Sequence, residues 1–187
     1  IPNNAIAFHR YRSGWFQPTH VEEVGSPSAR IIKLKVLDSA PINQSANEKY
    51  MIRIDIPPRF EHDNRSFYTI EARKLGNLYD KGLPILIDRP VILIHRIEDA
   101  SGVAVVVDID KRRAMAGYEV GYVCNSGRDQ QKNPNDLGAI WVSGEMFIDD
   151  KENIQVKVSN YDSMTQTFTI DIQVGQNAPP PLPDECQ

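Results

Sequence analysis

The chain has 187 residues, 41% of them apolar, which is enough for one domain with a substantial core. Its net charge of −4 and isoelectric point near 5.6 argue against a protein held to nucleic acid by electrostatics, because phosphate binding needs a basic surface. No apolar run approaches the roughly 20 residues that a bilayer span requires, so we expect no membrane span.

The two ends of the chain bear on its location. It begins at Ile1 rather than at methionine, which suggests processing or trimming, and processing fits export. An even number of cysteines in an exported chain favours a disulfide. We therefore predict a secreted or periplasmic protein with a disulfide between Cys124 and Cys186. The alternative is two free thiols in a cytosolic protein.

The first distinctive segment, residues 9–16, concentrates histidine, arginine and aromatic side chains. Such a mixture is able to bind an anion or to stack on a sugar or a base. If the protein is a binding module, we predict that Arg10, Tyr11, Arg12 and Trp15 contact the ligand. The alternative is an N-terminal strand whose aromatic rings pack on the core while the arginines stay solvated.

Strict alternation of apolar and polar side chains follows, and it is the clearest fold signal. Ile32, Leu34 and Val36 fall on one face of a strand, and Lys33 and Lys35 fall on the other. Because successive strand side chains point to opposite sides, such segments bury one face and wet the other. Alternation and turn signals predict strands over 30–37, 49–56, 67–72, 91–97, 103–109, 117–123, 140–148, 154–158 and 166–174.

Two hairpins and one helix complete the predicted elements. Residues 91–97 and 103–109 form the first hairpin, and their apolar residues on both faces place it centrally. Residues 154–158 and 166–174 form the second, with a longer loop. Residues 71–79 suit one short helix. We therefore predict an all-β fold, an antiparallel two-layer β-sandwich of about nine strands with at most one short helix.

We expect this single domain to span residues 1–175, with a proline-rich tail over 176–187. The run of prolines between 179 and 183 favours an extended polyproline conformation, so the tail is predicted to be a stiff terminal arm.

The titratable residues give no clear metal or catalytic site. Asp108 with Asp110, and Asp149 with Asp150, are pairs that calcium is able to use, but neither fits an EF-hand loop, and solvated strand ends are expected. Whether calcium binds near Asp108 and Asp110 stays open. The four histidines, His9, His20, His62 and His95, are too scattered for a zinc site, so no metal or cofactor is predicted.

His95 shares a strand face with Val91, Leu93 and Ile97, which predicts a partly buried histidine. A satisfied structural histidine is expected rather than a catalytic base, because no partner is identifiable from the sequence.

Trp141 is a second ligand candidate, because parity along 140–148 groups it with Ser143, Glu145 and Phe147 on the less apolar face. A core tryptophan is the alternative. Ser143 also fails as a nucleophile, since it lies in a strand pattern where no strained turn is expected.

These patterns favour an exported, non-enzymatic binding or adhesion module whose ligand is a carbohydrate, a protein or a surface component. One alternative is a hydrolase that uses acidic or histidine residues on the loops. Another is a structural subunit that joins an assembly through edge strands or the proline arm. The oligomeric state is left open.

Overall fold

The structure is a computed structural model that describes residues 7–37, 48–56, 65–74, 90–100, 103–108, 140–149 and 152–175. One α-helix, a 3₁₀ turn at Pro18–His20 and ten strands lie within these ranges. In chain order they are α1 (Ala7–Arg12), β1 (Val21–Val24), β2 (Ser28–Leu37), β3 (Met51–Asp55), β4 (Arg65–Lys74), β5 (Pro90–Ala100), β6 (Val103–Asp108), β7 (Ile140–Trp141), β8 (Met146–Asp149), β9 (Ile154–Asp162) and β10 (Thr167–Val174). The all-β prediction is confirmed.

The strands pair in the order β1-β3-β4-β2-β10-β9-β8, and β5 pairs with β4, β6 and β7. Most pairs are antiparallel, but β1 with β3 and β2 with β4 are parallel. The sheet is therefore mixed, and the prediction of a purely antiparallel fold is wrong. Alternation along a strand fixes which side chains are buried, but it carries no information about the strand that lies beside it.

Strand β2 links the two parts of this sheet. From Ser28 to Lys35 it pairs with β10, and at Val36 and Leu37 it pairs instead with Ala72 and Arg73 of β4. Strands β1, β3 and β5 then extend from β4, while β9 and β8 extend from β10. A ten-residue strand is long enough to serve both neighbours in succession.

The main core takes side chains from both parts of the sheet. As the alternation predicts, Ile32, Leu34 and Val36 of β2 point into it. The same cluster holds inward residues of the strands on either side, among them Ile52, Ile54, Tyr68, Ile70, Ile92, Ile94, Trp141, Phe147, Ile154, Val156, Val158, Phe168, Ile170, Ile172 and Val174. One continuous apolar cluster thus fixes the two parts against each other.

Strand β4 is covered on both faces. Residues 67–73 are all buried; Tyr68, Ile70 and Ala72 face the main core, and the odd-numbered side chains face the other way. On that second face Phe67 packs with Phe8 of α1 and with Ile97 of β5. The N-terminal helix therefore covers the β4–β5 surface that lies opposite the main core.

The predicted strand over 140–148 is wrong, because a turn separates β7 from β8. The Glu145 N–H donates to the Val142 carbonyl at 3.1 Å, and Gly144 has a φ of 94°, which favours glycine. Trp141 and Phe147 lie an even number of positions apart, and both point into the main core, so Trp141 is a core tryptophan rather than a residue of an exposed face.

Two other sequence predictions change in the structure. Residues 71–74 of the helix predicted over 71–79 belong to β4, and 75–79 lie outside the described residues; no helix was predicted at α1. Both predicted hairpins are confirmed, although β9 runs on to Asp162 and leaves only a short turn before β10. The strand predicted over 117–123 lies outside the described residues. In the described part of the chain, no helix has the length and apolar content to cross a bilayer.

Candidate functional site

Helix α1 ends in a turn that its sequence dictates. The N–H groups of Gly14 and Trp15 donate to the carbonyls of Tyr11 and Arg10, at 3.0 and 2.9 Å, and Gly14 has a φ of 73°. This is a Schellman motif, in which glycine takes the left-handed position because it has no Cβ. The motif folds the residue after the glycine back onto the last turn of the helix, so Trp15 comes to lie against Arg10.

Two arginines of α1 stack on aromatic rings. The Arg10 guanidinium carbon lies 5.9 Å from the centroid of the Trp15 ring, and that of Arg12 lies 5.8 Å from the centroid of Phe8. Both distances fall within the range of cation–π attraction. Phe8 is itself buried against Phe67, with ring centroids 5.5 Å apart, so the Arg12 side chain rests on a fixed surface.

The side chains at the end of this helix are mostly basic or aromatic. His9 and Arg12 are exposed, and Arg10, Tyr11 and Trp15 are half-buried. The sequence of α1 contains no acidic residue. Its basic side chains lie in the last turn, and positive charge is stabilising there because the C-terminal end of a helix dipole is negative. We call His9, Arg10, Tyr11, Arg12 and Trp15 the α1 patch. The protein as a whole is acidic, so this patch is a local reversal of charge.

The structure thus brings together four of the predicted ligand residues and separates the fifth. Arg10, Tyr11, Arg12 and Trp15 share the α1 patch, although on a helix and turn rather than on a strand. Trp141 has no exposed surface, and its ring packs edge-on to Phe147 with centroids 5.8 Å apart. Cys124 and Cys186 lie outside the described residues, as do Asp110 and Asp150.

A buried polar cluster lies directly beneath α1. Glu71 of β4 has no exposed surface and bonds in two directions. Its Oε2 accepts the Ala7 N–H at 2.8 Å, and its Oε1 accepts the His95 Nε2–H at 3.1 Å. The Nε of Arg73 lies 4.0 Å from Oε2. We call Glu71, Arg73, His95 and the neighbouring Thr69 the Glu71 cluster.

The charge of Glu71 is maintained by its neighbours. Burial alone would raise the pKa of its carboxyl group, but the hydrogen bond from His95 and the positive charge of Arg73 outweigh burial, and the Ala7 amide adds to them. The pKa of Glu71 is therefore held below its ordinary value, and the group is a carboxylate at neutral pH.

The sequence predicted a partly buried His95, whereas the residue is almost fully buried, and it did not reveal the partner of this histidine. Glu71 is 24 residues away along the chain, and it faces His95 because Thr69 and His95 are opposite residues of the β4–β5 ladder. One sequence feature indicates such a cluster, namely the odd-numbered residues of β4. A central strand with Thr69, Glu71 and Arg73 on one face needs polar partners for these side chains when that face is buried.

Two further titratable candidates within the described residues have structural partners. Asp149, predicted to lie at a solvated strand end, is instead buried and accepts a hydrogen bond from the Tyr68 hydroxyl at 2.8 Å. His20 is buried too, and its Nδ1 accepts the Gln17 N–H at 3.3 Å. Within the described residues, no three histidine, cysteine or acidic side chains are grouped so as to hold a metal ion.

Comparison with known proteins adds no family. Neither the protein-family models nor the curated proteins nor the solved structures gave a match. The α1 patch and the Glu71 cluster are therefore interpreted from their geometry and chemistry alone.

Proposed function

We propose that this protein is an exported, non-enzymatic binding module that recognises an acidic carbohydrate through the α1 patch. The observation that carries the proposal is the pair of stacked arginines, Arg10 on Trp15 and Arg12 on Phe8. Stacking holds a guanidinium plane in place, while its N–H edge suits bidentate contact with a sulfate or a carboxylate. The half-buried rings of Tyr11 and Trp15 offer apolar faces for a sugar ring beside those charges.

A rigid scaffold supports this proposal. We propose that the two parts of the sheet form the two packed layers of a sandwich. The Tyr68 ring of β4 contacts the Phe147 ring of β8 at 5.2 Å between centroids, and the Tyr68 hydroxyl bonds to Asp149. Ligand sites are commonly carried on surface segments that such a scaffold positions. The disulfide between Cys124 and Cys186 remains part of the proposal for an exported protein.

The hydrolase alternative has weaker support. The histidine and carboxylate that pair in the described residues, His95 and Glu71, are 4% and 0% exposed beneath α1. A substrate has to reach a general base within hydrogen-bond distance, and this pair offers no such access in the observed structure. The contacts of Glu71 are those of a group that holds the fold together.

Replacing Arg10 and Arg12 with alanine is expected to weaken binding of a sulfated heparin oligosaccharide by about tenfold or more, because buried or stacked arginines often dominate binding energy. Isothermal titration calorimetry at fixed ionic strength measures this change. The matched control is Arg30→Ala with Lys33→Ala, which removes the same charge from exposed positions of β2. Equal affinities for the two double variants would contradict the proposal, because a general loss of positive charge would then explain the result.

The same titration has two further arms. A desulfated oligosaccharide is expected to bind weakly. A poly-glutamate peptide that bound more tightly than the sulfated sugar would show that the ligand is an acidic protein rather than a carbohydrate.

Gly14→Ala tests the turn, since alanine at a φ of 73° strains the Schellman motif without touching a patch side chain. Gly25→Ala, which meets no neighbour within 4 Å and has no positive φ, is its control.

A further inference from the structure

Helix α1 is too short to exist without the sheet beneath it. It has six residues, whereas isolated helices below about 12–15 residues are marginal in water. Its buried anchors are Ala7 and Phe8, which pack in two small clusters away from the main core. The stacked pairs of the α1 patch therefore exist only while the helix is docked.

One polar contact from the sheet to this helix is itself fully buried. The Ala7 N–H is among the amides that a helix cannot satisfy internally, and it donates to the Glu71 carboxylate 64 positions along the chain. Glu71 thus takes the part that a capping side chain plays in an ordinary helix. The bond is charge-assisted, because His95 and Arg73 keep Glu71 ionised in its buried position.

We propose that Glu71 is a positioning residue that latches α1 onto the sheet, so that the α1 patch forms only while the Glu71 cluster holds its charge. The consequence for ligand affinity rests on the proposed function, but the latch itself does not. Docking and ligand binding are then linked, since a ligand that binds only the docked helix stabilises that state. The cluster beneath the helix thereby controls the surface above it.

Hydrogen exchange of the 13–15 amides, which donate to carbonyls of α1, tests the latch without any ligand. In Glu71→Gln the uncharged amide replaces the carboxylate, and we expect these amides to exchange about ten- to a hundredfold faster, because hydrogen bonds to charged groups are the strong ones. The matched control is Glu145→Gln. Glu145 is also a buried carboxylate that accepts a backbone N–H, from Val142 at 2.7 Å, but it lies at the β7–β8 turn.

Unchanged exchange at residues 13–15 in a folded Glu71→Gln variant would overturn the latch, and so would equal acceleration by Glu145→Gln. If Glu71→Gln does not fold, Ala7→Pro decides the question, because it deletes the donor at a helix position that accepts proline. Faster exchange in Ala7→Pro supports the latch, and unchanged exchange overturns it. In the wild type, a sulfated oligosaccharide should slow the same amides; failure of that arm alone contradicts the proposed function and leaves the latch standing.

Discussion

Replacing Trp141 with alanine is expected to lower the free energy of unfolding by about 3–5 kcal/mol, the usual cost of truncating a large aromatic side chain in a core. Trp141 has no exposed surface and packs edge-on against Phe147, which in turn contacts Tyr68. Its removal leaves a cavity beside Phe147 of β8. Urea denaturation at neutral pH measures the loss.

The chain supplies its own control, since it has two tryptophans. Trp15 is half-buried at the end of α1, so Trp15→Ala is expected to cost no more than about 1 kcal/mol. The two variants should separate stability from binding, because Trp15→Ala weakens the α1 patch while the core stays intact. A Trp15→Ala variant that loses as much stability as Trp141→Ala would contradict this division.

Replacing Glu71 with leucine is expected to destabilise the protein by about 3–5 kcal/mol, because removal of one partner leaves buried positive charge without its counterion. Arg73 and His95 both lie on that face of the sheet and are almost fully buried. The double variant Glu71→Leu with His95→Leu should lose less than the sum of the two single losses. Additive losses in that cycle would show that His95 and Glu71 do not interact.

The same carboxylate predicts a pH dependence of stability. The folded pKa of Glu71 lies below its ordinary value of 4.5, so the folded state favours the ionised form. Such a group contributes stability that is present above the unfolded pKa and is lost as the pH falls through the folded pKa. The stability difference between wild type and Glu71→Gln should therefore shrink as the pH drops below about 4.5. A difference that stays constant from pH 7 to acid would contradict the ionised assignment.

The faces of the strands were predictable from the sequence, but their neighbours were not. Ile32, Leu34 and Val36 are buried because alternation places them together, and the structure confirms this. The parallel contact between β2 and β4 depends on residues 36 positions apart, Val36 and Ala72, and no local pattern records it. The same applies to the turn before β8, where Gly144 interrupts a pattern that otherwise continues.

The candidate site, too, was predictable in its composition but not in its contacts. The composition of residues 9–16 was enough to predict a ligand surface of arginines and aromatic rings, but a strand was the alternative considered there and no helix was predicted. What the sequence could not give is the pairing of Arg10 with Trp15, which needs the backbone geometry of the turn. The Glu71 cluster was harder still to predict from the sequence, because Ala7, Glu71 and His95 come from three separate elements.

The most direct test of ligand binding at the α1 patch is a nuclear magnetic resonance titration of the isotope-labelled protein with a sulfated heparin oligosaccharide. The largest shifts in backbone amide resonances are expected at residues 8–15. The outward face of β2 and β10, where Lys33 donates to Thr169 at 2.6 Å, should change little. Shifts centred on that face, or no shifts at saturating sugar, would contradict the assignment of the α1 patch as the binding surface.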